Sequence, residues 1–295
     1  MIDVMRSPRA KAAVAIALDE DLGNVSKSGA RWCDATSEAL VDPEAIATGE
    51  IYAKGTGCVV AGATVARAVM KAVDPSIKVT ILKPDGSCVQ PKETILTFRG
   101  KARSILAAER TALNFMQRMS ATATLARKFV DATKKYGTLI LDTRKTTPGL
   151  RVFEKYAVTC GGGTNHRMGM YDRVLMKDNH RRLWKGGNPD ELDQAVLAAR
   201  KKFPKLAVEV EVESLRECAS ALKAKPEWIM LDNMSCADMK KCVKMCKGIS
   251  KTEASGGITL ERAKEVAATG VTAISLGCLT HSAGSVDLSL EWKVV

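Results

Sequence analysis

The chain contains no run of apolar residues that approaches the roughly 20 needed for a helix to cross a bilayer. Near the amino terminus, a short Ala-Val-Ala-Ile-Ala-Leu stretch follows several basic residues, as in a signal peptide. The stretch is too short for one, however, and it runs into Asp19, Glu20 and Asp21 where a small-residue cleavage site would be expected. We therefore predict an amphipathic first helix, no membrane association and a cytoplasmic location.

Two common nucleotide-binding motifs are also missing. The sequence has neither G-x-G-x-x-G nor a P-loop, which speaks against dinucleotide binding and NTPase chemistry. Aromatic residues make up only 4% of the chain, although the formal net charge is +12. That charge implies an anionic partner, but no recognised nucleic-acid-binding motif and no aromatic-rich basic strand accompany it. We therefore expect no nucleic acid, and the positions of the basic residues decide which anion is bound.

The nine cysteines are scattered, and nothing in the sequence pairs them, so we expect reduced thiols. Cys242 and Cys246 are one helical turn apart and lie near Cys236, but a zinc site there would lack a fourth ligand nearby. With 46% hydrophobic and 26% charged residues, the composition is that of a globular protein and excludes the disordered and collagen-like classes.

From Leu139 onward, short apolar strands alternate with amphipathic helices. This alternation predicts right-handed crossovers and a parallel sheet. The predicted strands are Leu139–Leu141, Val174–Met176, Val208–Val212, Trp228–Leu231, a stretch around Thr252–Ala254, and Thr272–Leu276. About six such units in roughly 150 residues fit an incomplete α/β barrel, and a doubly wound open sheet is the alternative.

The preceding part of the chain has a different pattern. Residues 104–136 predict a long helical region, and before it short strands are broken by glycines and by a Pro-Asp-Gly turn around one helix, Ala63–Val73. We therefore predict an N-terminal α+β domain over residues 1–115 and a catalytic barrel over residues 116–281. No linker marks the boundary between them.

Polar residues and glycines follow the predicted strands, at the end of a barrel where chemistry takes place. Any one of them alone would most often be an ordinary loop residue. Together they form an ordered set, with basic residues after the early strands, acidic residues in the middle and glycine-rich turns at the last two. The set comprises Arg144, Lys145, His166, Arg167, Lys177, Glu211, Asp232, Ser255, Gly256, Gly257 and Gly277. This order predicts a site for a large anion whose parts differ in chemistry.

The residue types indicate which part of the anion each segment binds. Backbone N–H groups in the turns at Ser255–Gly257 and Gly277 can hold a phosphate monoester. Glu211 and Asp232, on consecutive strands, are a candidate pair for Mg²⁺, which binds a few carboxylates together with substrate oxygens. Arginine side chains match carboxylates with two parallel hydrogen bonds.

At these positions the sequence resembles the quinolinate phosphoribosyltransferase family, also called carboxylating nicotinate-nucleotide pyrophosphorylases. The matching motifs run in order from residue 109 to residue 282, and the first hundred residues match more loosely, chiefly at 53–57 and 61–62. The segments are Glu-Arg-Thr-Ala-Leu-Asn at 109–114, Asp-Thr-Arg-Lys-Thr-Thr-Pro-Gly-Leu-Arg at 142–151, Lys-Tyr-Ala-Val at 155–158, Gly-Gly-Gly-Thr-Asn-His-Arg at 161–167, Lys-Asp-Asn-His at 177–180, Glu-Val-Glu-Val at 209–212, Leu-Asp-Asn at 231–233, Ser-Gly-Gly-Ile at 255–258 and Leu-Thr-His-Ser at 279–282. The cysteine-rich segment 236–246 departs from the family pattern.

The resemblance implies a fold and an activity. The fold would be an α/β-sandwich domain, completed by the C-terminal tail 282–295, joined to an incomplete seven-stranded α/β barrel. The activity would be Mg²⁺-dependent transfer of phosphoribosyl from phosphoribosyl pyrophosphate to quinolinate, with decarboxylation to nicotinate mononucleotide in NAD biosynthesis. No organic cofactor is expected, and the protein would be a homodimer or a higher oligomer.

The resemblance also implies a role for each site residue. Arg144, Arg167 and Lys177 would hold the two carboxylates of quinolinate, helped by His166 and by Arg110 of a neighbouring subunit. Lys145, Glu211 and Asp232 would be the catalytic residues, Lys145 contacting the donor and the two acids serving its ribose hydroxyls and the metal, directly or through water. The phosphate region would be lined by Ser255, Gly256, Gly257, Gly277 and His281.

Three alternatives remain open from the sequence. The first is a relative with the same fold and another substrate, such as a molybdenum-transport-associated homologue or a non-decarboxylating nicotinate enzyme; the basic set of Arg110, Arg144, Arg167 and Lys177 favours a dicarboxylate instead. The second is a basic nucleic-acid-binding protein, whose binding would depend steeply on salt. The third is an inactive scaffold, which nothing recommends because every expected charged position is occupied.

Overall fold

The computed structural model describes residues 3–23, 34–188 and 190–295. The chain forms two compact units: unit 1 comprises Met1–Arg127, Thr146–Gly162 and Leu279–Val295, and unit 2 comprises Lys128–Lys145 and Gly163–Cys278. The boundary predicted near residue 115 lies inside a single long helix, Ala102–Thr133. No helix among the described residues is both long enough and apolar enough to span a membrane.

The strands in chain order are β1 (Ile46–Ala53), β2 (Cys58–Val59), β3 (Lys78–Ile81), β4 (Cys88–Val89), β5 (Thr94–Lys101), β6 (Leu139–Leu141), β7 (Val174–Met176), β8 (Val208–Val212), β9 (Trp228–Asp232), β10 (Lys251–Ser255), β11 (Ala273–Ser275) and β12 (Leu288–Val294). The α-helices are α1 (Pro8–Leu22), α2 (Ala35–Leu40), α3 (Ala63–Val73), α4 (Ala102–Thr133), α5 (Arg151–Cys160), α6 (Asp178–Leu183), α7 (Leu192–Lys202), α8 (Leu215–Leu222), α9 (Cys236–Cys246), α10 (Leu260–Ala267) and α11 (Cys278–His281).

Unit 1 is built on a four-stranded antiparallel sheet in the order β12-β1-β5-β3. The C-terminal strand β12 pairs with β1, so the tail of the chain completes the sheet of the N-terminal region. Gly49 lies in the middle of β1, and a β-carbon there would overlap the ring of Phe98 and the backbone of Glu291 on the neighbouring strands. Glycine at this position therefore lets three strands and a large aromatic ring pack closely together.

The helices of unit 1 cover this sheet with apolar faces. Helix α3 buries Val65, Ala66, Val69 and Met70, a spacing of three and four residues that places these side chains on one face. Its first free N–H group, on Ala63, donates to Oδ1 of Asp85 at 2.9 Å. The interior of unit 1 is thus an ordinary apolar core.

Unit 2 contains a six-stranded parallel sheet in the order β6-β11-β10-β9-β8-β7. Strands β7 to β11 follow one another without reversal, whereas a doubly wound sheet reverses its strand order at a switch point. An isolated parallel bridge between Leu141 and Thr164 continues the sheet by one residue beyond β6, at the position of a seventh strand. The predicted fold class, an N-terminal α/β-sandwich domain plus an incomplete α/β barrel, is confirmed, and the parallel sheet has six strands among the described residues.

The helices that follow the strands of unit 2 begin with capping residues. Ser214, Ser235 and Thr259 each accept a hydrogen bond from the backbone N–H three residues further on, at the first turns of α8, α9 and α10. Helix α9 buries Cys242 and Cys246, and Sγ of Cys246 lies 3.8 Å from Sγ of Cys218 on α8. The cysteine-rich segment therefore contributes thiols to the packing between helices.

Candidate active site

Strand β8 carries two acidic side chains in the interior of unit 2. Its sequence alternates Val208, Val210 and Val212 with Glu209 and Glu211, and all five residues are buried. Because side chains alternate along a strand, the two glutamates share one face of the sheet. A half-exposed strand is the ordinary interpretation of such an alternation, but here the acidic face is turned inward.

The end of β7 supplies a lysine to one of these glutamates. Lys177 follows β7 directly, and its Nζ lies 2.6 Å from Oε2 of Glu211. The lysine side chain is 46% exposed, whereas that of Glu211 is 9% exposed. The ion pair thus presents a positive charge at the surface, backed by a nearly buried carboxylate.

Two arginines of unit 2, Arg144 and Arg167, interact electrostatically. Arg167 is half-buried, and its Nη1 donates to the carbonyl oxygen of Arg173 at 3.1 Å. Burial lowers the pKa of the Arg167 guanidinium, and the positive charge of Arg144 lowers it further. An anion bound between two guanidinium groups that repel each other would relieve both effects, so this arrangement favours carboxylate binding.

His166, beside Arg167 in the chain, is buried among carboxylates. Its Nε2 lies 3.2 Å from Oε2 of Glu209 on β8 and 3.4 Å from Oε2 of Glu253 on β10. Both glutamates are fully buried, and Nη1 of Arg173 lies 3.1 Å from Oε2 of Glu209. The backbone N–H of His166 donates to Oδ1 of Asp142 at 2.9 Å.

The protonation of this cluster follows from burial and from the close charges. Burial alone would lower the pKa of His166, but Glu209 and Glu253 outweigh it and raise that pKa. The pKa of Glu253 is raised by burial and by the charge of Glu209. Burial would also raise the pKa of Glu209, but His166 and Arg173 more than compensate and lower it.

Strands β9 and β10 end in a tight pair of turns. The N–H of Asn233 donates to the carbonyl oxygen of Ser255 at 3.0 Å, and its side-chain amide donates to Oδ2 of Asp232 at 2.8 Å. Gly256 has a φ of 98°, and a β-carbon there would overlap the side chain of Asn233. The next residue, Gly257, has a φ of 54° and open space around it. This turn follows Ser255, which pairs with Asp232 in the sheet, so its backbone lies close to Asp232.

The structure brings most of the predicted site residues into unit 2. Those at the strand ends there are Arg144, Lys145, His166, Arg167, Lys177, Glu211, Asp232, Ser255, Gly256, Gly257 and Gly277. Arg110 and His281 belong to unit 1: Arg110 is exposed on α4, and His281 is exposed at the end of α11, with Nδ1 2.6 Å from Oγ of Ser282. The roles of all these residues stay predictions.

Sequence reasoning left four charged residues out of the site. Asp142, Glu209 and Glu253 contact His166 in the structure, and Arg173 contacts Glu209. Asp142 and Glu209 stand in the quoted segments and Glu253 in a predicted strand, but no local pattern showed that these side chains meet at one histidine. The only available signal was the Glu-Val-Glu-Val alternation, which places Glu209 on the same face as Glu211.

The predicted Mg²⁺ ligands, Glu211 and Asp232, lie on two adjacent strands. Glu211 and Asp232 offer hard oxygen ligands on neighbouring strands, but one oxygen of Glu211 is held by Lys177. Among the described residues, only His166, Glu209 and Glu253 place three ligand atoms together, within 4.8 Å of one another. Glu211 and Asp232 therefore fit Mg²⁺ only if substrate oxygens or water complete the coordination, as is usual for this ion.

Comparison with known protein families covers almost the whole chain. Residues 34–120 match the N-terminal domain and residues 122–291 the C-terminal domain described as quinolinate phosphoribosyl transferase. The chain belongs to the quinolinate phosphoribosyltransferase family. The family membership predicted from the motifs is thereby confirmed.

Individual relatives agree with this family. The chloroplastic nicotinate-nucleotide pyrophosphorylase [carboxylating] of Oryza sativa subsp. japonica is 40% identical over 95% of this chain and 77% of its own length. A probable nicotinate-nucleotide pyrophosphorylase [carboxylating] of Bacillus subtilis is 39% identical over 88% of this chain and 87% of its own. The crystal structure of NadC from Streptococcus pyogenes superimposes with a TM-score of 0.89 at 34% identity and covers 97% of each chain. The predicted enzyme class, a pentosyltransferase, is confirmed by these relatives.

Proposed function

We propose that the protein transfers the phosphoribosyl group of phosphoribosyl pyrophosphate to quinolinate and releases CO₂. The products are nicotinate mononucleotide, CO₂ and pyrophosphate, in the biosynthesis of NAD. The observation that carries the proposal is the set of basic side chains in unit 2, with Arg144 and Arg167 interacting electrostatically, in a chain that belongs to this family. Several relatives bear the name of the same reaction.

The basic residues suit an aromatic dicarboxylate. Arg144 and Arg167 can each form two parallel hydrogen bonds with a carboxylate, and Lys177 contributes a further positive charge from the end of β7. A nicotinate monocarboxylate would leave part of this charge without a partner. The set therefore favours quinolinate over nicotinate, which separates this function from that of a non-decarboxylating enzyme.

The acidic residues and the glycine turn suit the donor. As the C1–O bond to pyrophosphate breaks, positive charge develops on the ribose ring, and the carboxylates of Glu211 and Asp232 stabilise it. Lys145, exposed at the end of β6, offers a positive charge to the leaving pyrophosphate. The backbone N–H groups around Gly256 and Gly277 bind the 5′-phosphate, and His281 assists there.

We include Mg²⁺ in the proposed reaction because it would be bound together with phosphoribosyl pyrophosphate. Glu211 and Asp232 would hold it, directly or through water, and it would supply charge neutralisation of the pyrophosphate. The described side chains alone offer this ion too few ligands at these two strands. We therefore propose that oxygens of bound phosphoribosyl pyrophosphate complete the coordination of Mg²⁺.

No organic cofactor is needed for the decarboxylation. After the pyridine nitrogen has bonded to C1 of the ribose, it carries a positive charge. The electron pair of the broken C–CO₂ bond is stabilised next to that charge, and a proton then takes the place of the carboxylate on the ring carbon. The protein contributes by binding the second carboxylate and keeping the ring in place.

The proposal extends to assembly and location. The family resemblance implies that Arg110 serves the site of a neighbouring subunit, and our proposal includes this arrangement in a homodimer or higher oligomer. We also propose a cytoplasmic location, although plant relatives are named chloroplastic or mitochondrial. Fractionation of the source cells with an antibody against the protein would test the location.

One assay tests the proposed reaction. The purified protein is incubated with phosphoribosyl pyrophosphate, Mg²⁺ and quinolinate labelled with ¹³C in the 2-carboxylate. We expect nicotinate mononucleotide and labelled CO₂ in equal amounts, and loss of both when EDTA is added. Turnover of nicotinate in place of quinolinate would contradict the proposal, as would absence of turnover together with nucleic-acid binding that weakens steeply with salt.

A further inference from the structure

We propose that Asp172 is a positioning residue for Arg167. It closes the loop of residues 167–173, here named the Arg167 loop, against the start of strand β7, and the closed loop directs the Arg167 guanidinium at a carboxylate of the substrate. In this role Asp172 acts through Arg167 and not on the substrate. The consequence for quinolinate rests on the proposed function, whereas the closure of the loop does not.

The first observation is a pair of hydrogen bonds inside the Arg167 loop. The N–H of Met168 donates to Oδ2 of Asp172 at 2.7 Å, and the N–H of Gly169 donates to Oδ1 at 3.1 Å. Hydrogen bonds to an ionised carboxylate are stronger than those between neutral groups. One side chain therefore holds the two consecutive residues that follow Arg167, and the chain cannot turn there without breaking at least one of these bonds.

The second observation is that the other end of the loop is fixed to the sheet. Val174 begins β7, and its N–H donates to the carbonyl oxygen of Ala207 at 3.0 Å. The Arg173 guanidinium donates to Oε2 of the buried Glu209 at 3.1 Å. Asp172 lies directly before this fixed end. Its carboxylate therefore ties the start of the loop to the sheet.

The third observation concerns the side chain of Arg167. Its Nη1 donates to the carbonyl oxygen of Arg173 at 3.1 Å, so the guanidinium reaches across the loop to the fixed end. Burial and the charge of Arg144 lower the pKa of Arg167, and the charges of Glu209 and Asp172 act in the opposite direction. Asp172 thus closes the loop that carries Arg167 and also favours the charged form of the guanidinium.

Closure of the loop before the substrate arrives has a consequence for affinity. An arginine on an open loop would occupy several positions, and binding would have to select one of them at a cost in conformational entropy. In the closed loop this cost is met on folding. A residue that only stabilised the fold would affect both substrates alike, whereas a positioning residue affects the one substrate that Arg167 binds.

The tip of the same loop provides a matched control. Met170 is 74% exposed, and its side chain takes no part in the two hydrogen bonds to Asp172. Met170→Ala therefore removes more side-chain atoms than Asp172→Ala but leaves both acceptor oxygens in place. Asp172 is itself exposed, so its replacement by alanine creates no cavity in the core.

The closure of the loop can be measured without any activity. We expect the amide protons of Met168 and Gly169 to exchange with solvent at least about tenfold faster in Asp172→Ala, the factor for loss of one charge-assisted hydrogen bond. In Met170→Ala the rates should match wild type. Hydrogen–deuterium exchange with residue-level mass spectrometry gives both values. Equal exchange in Asp172→Ala and wild type would overturn the proposal, whatever the enzyme turns over.

Isothermal calorimetry tests whether Asp172 acts through Arg167. We expect Asp172→Ala to raise the Kd for quinolinate about tenfold and to leave the Kd for phosphoribosyl pyrophosphate within about threefold of wild type. Loss of a negative charge would by itself strengthen anion binding, so the change in net charge cannot cause this weakening. Asp172→Asn keeps one acceptor oxygen, and its Kd for quinolinate should lie between those of wild type and Asp172→Ala.

A double-mutant cycle completes the test. In an Arg167→Ala background, Asp172→Ala should change the Kd for quinolinate by less than about threefold, because no guanidinium is left to position. A tenfold loss in both backgrounds, or unchanged quinolinate affinity in Asp172→Ala alone, would overturn the proposal. If wild-type protein does not bind quinolinate, the proposed function fails, and hydrogen exchange still decides whether Asp172 closes the loop.

Discussion

At the scale of single residues, the site combines exposed positive charges with buried acids that hold them. Lys177 is paired with Glu211, and Arg167 is linked to Glu209 through Arg173. A long basic side chain free in solution loses rotamer entropy when it binds a ligand. Here part of that loss has already occurred on folding, because the buried carboxylates restrain the cations. The carboxylates therefore favour substrate binding although they do not attract the anion themselves.

Removal of either positively charged side chain should weaken the binding of quinolinate far more than the binding of phosphoribosyl pyrophosphate. In Arg167→Ala or Lys177→Ala, loss of a charge-assisted hydrogen bond costs on the order of 1.5–3 kcal/mol, so we expect quinolinate affinity to fall roughly tenfold or more. Isothermal calorimetry with each substrate measures both constants. Arg182→Ala, which removes an arginine that is 75% exposed, is the matched control. Unchanged quinolinate affinity in both variants would remove Arg167 and Lys177 from the pocket.

The two proposed acids of the donor site can be tested by isosteric replacement. Glu211→Gln and Asp232→Asn keep the size and lose the charge, so we expect turnover to fall at least about a hundredfold, a loss of about 2.7 kcal/mol of transition-state stabilisation. Circular dichroism should show an unchanged fold. Near wild-type rates at saturating Mg²⁺ would instead show that both are ordinary strand residues, whose substitution usually changes stability by less than about 0.5 kcal/mol.

Asp85 predicts a pH dependence of stability in unit 1. Burial raises the pKa of its carboxyl, although Tyr156 and the N–H of Ala63 donate hydrogen bonds that act in the opposite direction. A carboxyl whose pKa is raised by folding stabilises the folded state below its unfolded pKa of about 3.9, and this contribution is lost as the pH rises through the folded pKa. We expect Asp85→Asn, which cannot ionise, to gain stability relative to wild type between pH 4 and pH 7.

Urea unfolding at several pH values measures this difference. Asp131→Asn removes one exposed negative charge and controls for the change in net charge. The difference in the free energy of unfolding between Asp85→Asn and wild type could instead be constant over this range, or reversed. Burial would then not be the main influence on the pKa of Asp85.

At the scale of elements, the strand-to-helix turns fix where the backbone can approach a phosphate. Both glycines after β10 have positive φ values, and only at Gly256 would a side chain also meet Asn233, whose N–H would lie 2.9 Å from the new β-carbon. The turn after β10 therefore depends on the turn after β9. This dependence holds Asp232 and the candidate phosphate site together.

Replacement of each glycine by alanine separates the backbone strain of a left-handed position from the overlap of a new β-carbon with Asn233. Alanine at a left-handed position costs roughly 1–2 kcal/mol of backbone energy in both variants. Gly256→Ala must in addition displace Asn233, so we expect its KM for phosphoribosyl pyrophosphate to rise about tenfold while that of Gly257→Ala stays close to wild type. Steady-state kinetics with the donor varied gives both values, and equal behaviour of the two variants would argue against a phosphate site at this turn.

At the scale of the whole molecule, the predicted site residues are divided between the two compact units. Arg110 is exposed on α4 in unit 1, whereas Lys145 follows β6 in unit 2. The family resemblance implies that Arg110 acts across a subunit interface. In that case both lesions would fall in the same site when one is carried by each chain of a dimer, and the other site would be intact.

Mixing two inactive variants tests this arrangement. Arg110→Ala and Lys145→Ala are dissociated, combined in equal amounts and reassembled. If Arg110 acts across the interface, a mixed dimer has one site with both lesions and one intact site. About half of the dimers are mixed by random pairing, so roughly a quarter of the wild-type activity should return. No recovery, with subunit exchange confirmed by mass spectrometry, would show that Arg110 does not complete a neighbouring site.

The sequence by itself determined the family, the order of the elements and the segments at the strand ends. Apolar strands and amphipathic helices are local patterns, and so are the turn motifs at residues 255–258 and 231–233. Because the carboxyl ends of parallel strands meet at one edge, the polar residues that follow them could be assigned to one site before any coordinates were known.

Only the tertiary structure decided which interior groups face each other. Glu209 and Glu253 lie on strands that are separated by β9, and the direction of each side chain depends on the register of three strands. No local pattern encodes that both point to Nε2 of His166. The pairing of β12 with β1 is equally non-local, since its register joins residues from opposite ends of the chain. Local preferences fix where strands begin and end, whereas the packing of the whole sheet fixes which charges share a low-dielectric interior and therefore which of them hold protons.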